Sequence, residues 1–349
     1  MRFSRVLGAT TALALAAGMV ACSSDDSNEP TEDTNSAASS AEGFPIEVEH
    51  VYGVTEIPEN PERVATVAWA NHEVPLAMDI VPVGMSKVSW GDDDGNGILP
   101  WVEDKLDELG GEEPVLFDET DGIDFEAVAD TQPDVILAGY SGLTQEEYDT
   151  LSKIAPTIAF PKDSVAWGTS VDDMITINSE ALGLSDQGEA LIEDLDSQAQ
   201  AALDENPELK DKKVMFAFFD PTDLSQFGYY TSHDTRPGFL EGLGLPTPEV
   251  VEEASAQSDD FYAEISSEAA DQLQDVDIIV TYGDPDGDLI EQLQADPLLN
   301  KIPAIAEGNI VILEDDSPLA ASANPSPLSI PWGISEYFAL LNSTNDSSN

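Results

Sequence analysis

The sequence of 349 residues is poor in cysteine, histidine and basic side chains. It has one cysteine, three histidines, and 12 Lys and Arg against 70 Asp and Glu, for a formal net charge of −58. One cysteine excludes a disulfide framework, and three histidines supply a His-rich zinc or haem-iron centre poorly. Binding of nucleic acid is disfavoured because phosphates must be neutralised by a basic surface. The motifs G-x-S-x-G, G-x-x-x-x-G-K-[ST] and H-E-x-x-H are also missing, so we do not expect an enzyme.

Long hydrophobic runs are missing as well, apart from a short one near the N-terminus. Residues 6–20 follow Arg2 and Arg5 and are too short to span a bilayer comfortably, but they are typical of a secretory signal core. The segment resembles a bacterial lipoprotein signal, in which residues 1–21 are removed and Cys22 is lipidated. Residues 22–43 are polar without an apolar period, which predicts a disordered tether. We therefore expect a body anchored by lipid to the outer face of the cytoplasmic membrane.

Past residue 44, short apolar runs alternate with helical stretches. Runs bounded by proline or glycine suit buried parallel strands and predict strands over 63–69, 81–86, 114–117, 134–140 and 157–160. The intervening segments predict helices over 73–78, 100–109, 125–131 and 144–153. This β-α-β alternation is typical of an α/β lobe with a parallel sheet.

A long amphipathic helix separates this alternation from a second one. Apolar residues recur at helical spacing between Ser185 and Pro207, which ends the helix. Strands are predicted beyond it over 214–219, 227–230, 277–282 and 310–313, with helices near 238–243, 267–273, 289–294 and 327–341. The sequence thus predicts two Rossmann-like α/β lobes, 44–168 and 208–345, joined by a linking helical segment over 169–207.

Six segments in order along the body resemble the ferric-siderophore-binding lipoproteins of ABC importers, which are class III periplasmic-type binding proteins. They are residues 57–69, 82–85, 125–142, 151–161, 234–245 and 265–283. The resemblance implies a monomer without a covalent cofactor that holds a ferric siderophore between its lobes. It also implies delivery of that ligand to an ABC permease for iron uptake.

Aromatic residues follow the predicted strands, where the carboxyl ends of parallel strands place ligand-binding loops. Large rigid rings grip a bulky ferric chelate at low entropic cost. We expect ligand contacts from Trp69, Trp90, Tyr140, Trp167, Tyr230, Phe261, Tyr262 and Tyr282. Core packing is the alternative for any one of them, and it is the expected role of Trp332.

Arg236 is the strongest single candidate for a polar ligand contact. Its planar fork of donors suits hydroxamate, catecholate or carboxylate oxygens around ferric iron, and a salt bridge to one of the many carboxylates is the alternative. Arg63 is expected outside the cleft, paired with Glu62 or Glu59. Relatives that bind ferrichrome often carry an arginine after the third strand, and this chain has none there.

Glu126 and Glu268 occupy matching places in the two lobes, where relatives present glutamates to the permease. The resemblance implies that they dock the lobes onto it, although an acidic residue at a helix start is also favoured by the helix dipole.

Residues 92–103 fit a calcium loop, D-x-[DN]-x-[DN]-G-x₅-E, with Asp92, Asp94, Asn96 and Glu103 as ligands. A plain acidic turn is the alternative.

Two other functions of the whole protein stay open. One is a haem or corrinoid carrier, with Tyr140, Tyr282 or His233 as a haem ligand, and the other is an acidic calcium-binding surface protein.

Overall fold

The computed structural model describes residues 43–346. The predicted signal peptide, Cys22 and nearly all of the predicted tether lie outside these residues. Twelve strands lie within them: β1 Ile46–His50, β2 Gly53–Ile57, β3 Val64–Thr66, β4 Gly84–Ser86, β5 Val115–Phe117, β6 Val135–Leu137, β7 Thr157–Ile158, β8 Val214–Phe218, β9 Gln226–Tyr230, β10 Tyr262–Ser266, β11 Ile278–Gly283 and β12 Ile310–Glu314.

Twelve α-helices lie in the same part of the chain: α1 Glu73–Ala77, α2 Pro100–Leu109, α3 Phe125–Asp130, α4 Gln145–Leu151, α5 Val171–Ala181, α6 Ser185–Asp204, α7 Thr235–Gly242, α8 Glu249–Gln257, α9 Leu289–Ala295, α10 Pro303–Glu307, α11 Pro318–Ser322 and α12 Ser329–Asp346. Three short 3₁₀ segments are added to these: Pro207–Asp211, Ser267–Leu273 and Leu299–Lys301.

The first half of the body forms a five-stranded sheet in the order β5-β4-β3-β6-β7, in which every pair is parallel. Its central strands β3 and β6 are buried along their whole length, as expected for a sheet covered on both faces. Gly84 of β4 lies under the ring of Phe117, and a Cβ there would come within 2.2 Å of the Phe117 Cζ atom. The predicted parallel sheet is confirmed in this lobe.

The second half forms another five-stranded sheet, in the order β10-β9-β8-β11-β12. Strands β8, β11 and β12 are parallel, while β9 pairs antiparallel with both β8 and β10. The sheet is therefore mixed rather than purely parallel. The reason is local: the chain returns from β8 to β9 through the short loop over 219–225, which is too short for a parallel crossover.

The two sheets are linked by the 20-residue α6, about 30 Å long at 1.5 Å per residue. This helix packs against α5 on one side and α12 on the other. Leu195 and Ala199 of α6 share an apolar cluster with Ile175 of α5 and Ile330 of α12. A single helix thus braces elements of both lobes, as predicted.

The nine predicted strands are all present, but several elements were not predicted from the sequence. These are the antiparallel hairpin β1-β2, the edge strand β10, and helices α5, α8, α10 and α11. The predicted helix over 267–273 is a 3₁₀ segment with a break at Ala269. In the part of the chain that the structure describes, no helix combines the length and apolar character needed to cross a bilayer.

Candidate functional site

Asn71 fixes the loops that follow β3 and β6. Its Nδ2 donates to the carbonyls of Val67 and Tyr140, both at 2.8 Å, and its Oδ1 accepts from the Tyr140 N–H at 2.9 Å. Asn178 of α5 donates to the same Oδ1 at 3.1 Å. All of this is buried, so Trp69 and Tyr140 are held in place at the carboxyl edge of the first sheet.

Three predicted aromatic residues meet at this edge. Trp69 lies between Ala68 and Ala70, which both have positive φ, at 63° and 61°. Trp167 packs edge-on against Tyr140 with ring centroids 5.9 Å apart and remains 39% exposed. Trp69 and Trp167 also line one cavity of about 290 Å³. These rings therefore form an aromatic wall on the first lobe.

Trp90 crosses from the first lobe to the second. Its indole Nε1 donates to Asp315 Oδ1 at 3.1 Å, and its ring meets Tyr282 edge-on at 5.5 Å. The next residue, Gly91, donates its N–H to Asp316 Oδ1 at 2.7 Å. Because Asp315 and Asp316 directly follow β12, the carboxyl edges of the two sheets face one another across these contacts.

Arg236 lies in the first turn of α7, which begins three residues before the helix predicted near 238–243. Its Nη1 contacts Asp234 Oδ1 and Oδ2 at 3.0 and 2.8 Å, and its Nε donates to the Tyr282 hydroxyl at 2.8 Å. Its guanidinium carbon lies 4.4 Å from the centre of the Tyr230 ring. Within residues 43–346, Nη2 is the guanidinium nitrogen left without a hydrogen-bond partner.

Burial shapes the charge of this cluster. The Asp234 and Arg236 side chains are only 3% and 14% exposed. Burial opposes the charged guanidinium, but Tyr282 and Asp234 outweigh it, so the pKa of Arg236 lies above its ordinary value. Burial raises the pKa of Asp234, and Arg236 offsets part of that rise. Arg236 is thus a fixed cation already paired with one buried carboxylate.

Two further tyrosines lie beside the Arg236 cluster, Tyr262 on the second lobe and Tyr140 on the first. Tyr262 lies beside Tyr230 in the β9-β10 pair, with ring centroids 5.5 Å apart, and its ring covers Gly228. Tyr140 of the first lobe approaches the cluster, with its hydroxyl 3.5 Å from Asn324 Nδ2. Burial raises the pKa of Tyr140 and of Tyr282, so both are neutral phenols at neutral pH.

Phe261 lies apart from the other aromatic candidates. It is half-buried immediately before β10, and its carbonyl accepts from the Thr231 N–H at 3.0 Å. Among the described residues, no ring contact joins Phe261 to the other aromatic candidates. Its role in ligand contact remains a prediction.

Three expectations about single residues need correction or refinement. Arg63 does not pair with Glu62 or Glu59; its Nε donates to the Gln132 carbonyl at 2.9 Å and its Nη2 to that of Thr131. Trp332 is 39% exposed and packs on Trp101 at 5.0 Å, so it is not core. His233 Nε2 lies 3.1 and 3.0 Å from the carbonyls of Ser255 and Ser258, near the end of α8.

The acidic loop after Trp90 is closed by its own backbone. Asp92 accepts from the N–H groups of Asp94, Gly95 and Gly97, and Asn96 accepts from that of Ile98. Carboxylate oxygens of Asp92, Asp93 and Asp94 lie within 4.8 Å of one another. Asn96 turns its amide nitrogen toward Glu103, at 3.3 Å. Calcium binding here remains a prediction.

Glu126 and Glu268 are both exposed in the first turn of a helical segment. Glu126 follows β5, and Glu268 follows β10, which runs parallel to β8 because both are antiparallel to β9. In the described part of the chain, neither carboxylate forms an ion pair. Both therefore lie at the carboxyl edges of their sheets, on the side of the cleft.

Several residues of the site were missed in the sequence. Asp234, the partner of Arg236, carried no distinguishing signal among 70 acidic residues. Glu119 and His72 line the 290 Å³ cavity with Lys87, and Glu119 Oε2 accepts from the Ala68 N–H at 2.9 Å and the Ser86 hydroxyl at 3.0 Å. The position of Glu119 shortly after β5, and that of His72 in the segment between β3 and α1, were the only signals that could have revealed them.

A two-lobed α/β body with aromatic and charged loops at facing sheet edges is an arrangement suited to holding a solute between the lobes. Residues 64–317 match the model of the periplasmic binding protein family, and the chain belongs to that family. It is a family of ligand carriers and not of enzymes.

Individual relatives are more specific. This chain is similar to PiaA from Streptococcus pneumoniae TIGR4, whose crystal structure was determined in complex with ferrichrome. The two sequences are 46% identical, and the structures superpose with a TM-score of 0.81, covering 87% of this chain and 100% of PiaA. The iron(3+)-hydroxamate-binding protein YxeB of Bacillus subtilis is 24% identical over 269 residues, 76% of each chain. The probable siderophore-binding lipoprotein YfiY of the same organism is 29% identical over 265 residues, covering 75% of this chain and 73% of YfiY.

Proposed function

We propose that this chain captures a ferric siderophore of the hydroxamate class outside the cell and delivers it to an ABC permease for iron uptake. The observation that carries the proposal is the cluster around Arg236 on one lobe opposite the tryptophans of the other. Arg236 offers Nη2 to an anionic oxygen of the chelate. Trp69, Trp90 and Trp167 offer flat apolar surface to its organic exterior.

The relatives support the choice of ligand class. PiaA is described with ferrichrome, a ferric trihydroxamate, and YxeB is named for iron(3+)-hydroxamate. One arginine in the cleft suits a ligand of low net charge better than a tris-catecholate, whose several negative charges would face the buried Asp234 and many surface carboxylates.

The relatives named as lipoproteins also support the predicted anchor. We propose that Cys22 carries the lipid, that residues 22–43 form the tether, and that the body acts as a monomer on the outer face of the cytoplasmic membrane. The lobes are taken as 44–168 and 208–345 with a linking segment over 169–207.

Binding is tested by titrating the purified chain with ferrichrome, iron-free ferrichrome, a ferric catecholate and haem, while tryptophan fluorescence is followed. We expect saturable quenching by ferrichrome at submicromolar concentration. Quenching by haem alone would overturn the proposal in favour of the haem alternative, and no response to any ferric chelate would overturn it outright.

A matched pair of variants locates the quenching. Trp167 and Trp332 have the same exposed fraction, 39%, but only Trp167 lies at the proposed cleft. Trp167→Phe should therefore remove a clear part of the quenching, and Trp332→Phe should remove none. The reverse pattern would place the ligand elsewhere on the molecule.

Docking on the permease is proposed for Glu126 and Glu268. Their exposure, their lack of an ion pair within residues 43–346 and their place at the cleft edges support this role. The double variant Glu126→Gln, Glu268→Gln should bind ferrichrome with unchanged affinity but lose uptake of radioactive iron by cells. The double variant Glu146→Gln, Glu193→Gln, with exposed glutamates on α4 and α6, is the control and should take up iron normally. Uptake by both double variants would contradict the docking role.

A further inference from the structure

Two cavities lie side by side next to the aromatic wall of the first lobe. One is about 290 Å³ and the other about 270 Å³, and both are lined by Lys87, Val88, Ser89 and Thr120. We call the two together the lateral groove. The first cavity adds Trp69, His72, Glu119 and Trp167 to its lining, so the groove opens directly beside the proposed ligand.

The charged side chains that line the lateral groove are mostly acidic. Asp92, Asp118 and Asp316 line the second cavity and Glu119 the first, against the single cation Lys87. Carboxylates of one sign along a narrow groove focus a negative potential, which raises the local concentration of cations. The lateral groove thus has an excess of negative charge, whereas the Arg236 cluster on the second lobe pairs one cation with one carboxylate.

Two polar atoms at the inner part of the groove lack a hydrogen-bond partner. Glu119 Oε1 and His72 Nδ1 are both buried without one in the described part of the chain, although Glu119 Oε2 is fully used by Ala68 and Ser86. His72 is only 2% exposed. Buried polar groups are almost always paired, and an orphaned one is costly. A ligand that donates hydrogen bonds would satisfy both.

The protonation of these two groups fixes what they can accept. Burial lowers the pKa of His72 to about 4, so its imidazole is neutral at physiological pH and adds no positive charge. Burial raises the pKa of Glu119, and the hydrogen bonds from the Ala68 N–H and the Ser86 hydroxyl offset part of that rise. An incoming cation would relieve that cost directly.

Resting on the proposed function, we propose that the lateral groove binds a positively charged amino group on the organic scaffold of the ferric chelate, with Glu119 as its counter-charge. The neutral His72 accepts a second hydrogen bond from the same donor group. Arg236 on the opposite lobe faces the anionic oxygens around the iron. Charges of opposite sign on the two lobes would then fix the direction in which an asymmetric chelate lies across the cleft.

Two ferric trihydroxamates that differ only in the amino group test this proposal. Ferrioxamine B ends in a primary amine, and its N-acetylated form has an uncharged amide there. A charge-assisted hydrogen bond of the usual strength predicts about ten- to hundredfold tighter binding of the amine form by calorimetry. In Glu119→Gln the ratio of the two dissociation constants should fall to near one.

Further variants keep the test informative. Glu119→Asp retains the charge and should retain a preference for the amine form. If Glu119→Gln fails to fold, Asp118→Asn replaces it, and the ratio of the two dissociation constants should fall because the groove has lost one negative charge. Glu146→Gln, an exposed change on α4, should leave the ratio unchanged.

The outcomes are distinct. Equal affinity of the wild-type chain for both chelates would overturn this inference and leave the proposed function standing. A preference that survives in Glu119→Gln would also overturn it. Failure of both chelates and of ferrichrome to bind would overturn the proposed function itself.

Discussion

Asp234 and Arg236 form a buried ion pair, and breaking it from one side should destabilise the fold. Replacing Arg236 by methionine removes both contacts to Asp234 and the bond to Tyr282, while the apolar stem keeps most of the volume. Asp234, which is 3% exposed, is then a buried carboxylate without a counter-charge. Breaking such a pair from one side costs about 3–5 kcal/mol in free energy of unfolding.

The loss should depend on pH. Burial already raises the pKa of Asp234, and without Arg236 it rises further. A carboxyl group whose folded pKa is raised binds more protons in the native than in the unfolded state. Its burial is therefore tolerated best below the unfolded pKa, and stability falls as pH rises toward the folded pKa. The difference between wild type and Arg236→Met should be smaller at pH 4 than at pH 8.

The assay is urea unfolding followed by circular dichroism at both pH values. Arg236→Met should lose about 3–5 kcal/mol at pH 8, and Asp234→Asn combined with Arg236→Met should recover much of it, because no buried charge is then left unpaired. A loss that is equal at both pH values, or a double variant no more stable than Arg236→Met alone, would refute the reasoning. Mild destabilisation without pH dependence would mean that water reaches Asp234.

Three further results are expected. Arg236→Ala should weaken binding of ferrichrome by about 1–3 kcal/mol, as for loss of a charge-assisted hydrogen bond, and unchanged affinity in calorimetry would remove Arg236 from the site. Gly228→Ala places a Cβ 1.6 Å from the Tyr262 hydroxyl oxygen, so the Tyr262 ring must move. The affinity for ferrichrome should fall clearly, while the melting temperature should change little. An unchanged dissociation constant would show that Tyr262 does not contact the ligand. Glu73 accepts hydrogen bonds from Trp101 Nε1 and from the Leu328 N–H, both at 2.8 Å. In Glu73→Gln the side-chain NH₂ cannot accept one of these bonds, so the free energy of unfolding should fall by about 1–3 kcal/mol. Wild-type stability in chemical unfolding would contradict these contacts.

The strands were predictable because each is a short apolar run with abrupt ends. A continuous apolar run is the pattern expected of a buried parallel strand, and the segments around Val64 and Val135 both show it. The hairpin β1-β2 was missed because its residues alternate between buried and exposed and include Glu47, Glu49 and Glu56, which read as loop in so acidic a chain. Edge strand β10 was missed for a similar reason, as it is at most half-buried.

The candidate site was predictable in its aromatic part and in Arg236. Aromatic residues after strands are few, so each could be singled out, and Arg236 is one of two arginines outside the predicted signal. The residues that pair with these side chains could not be predicted from the sequence. Asp234, Glu119 and Asn71 are distinguished only by their burial and by the groups that the tertiary structure brings next to them. A sequence identifies candidate side chains, while their hydrogen bonds are set by long-range contacts.

Trp90 and Gly91 bear on how fast a ligand can enter. Their bonds to Asp315 and Asp316, and the Trp90–Tyr282 contact, join the two sheet edges beside the proposed ligand cleft. When only a fraction of molecules is open to ligand, the apparent dissociation constant rises in inverse proportion to that fraction. Association should then be slower than free diffusion allows and limited by opening at high ligand concentration. Weakening this contact should raise both the association rate and the dissociation rate of the ligand. The same two residues would then set both how fast the ligand binds and how long it stays bound.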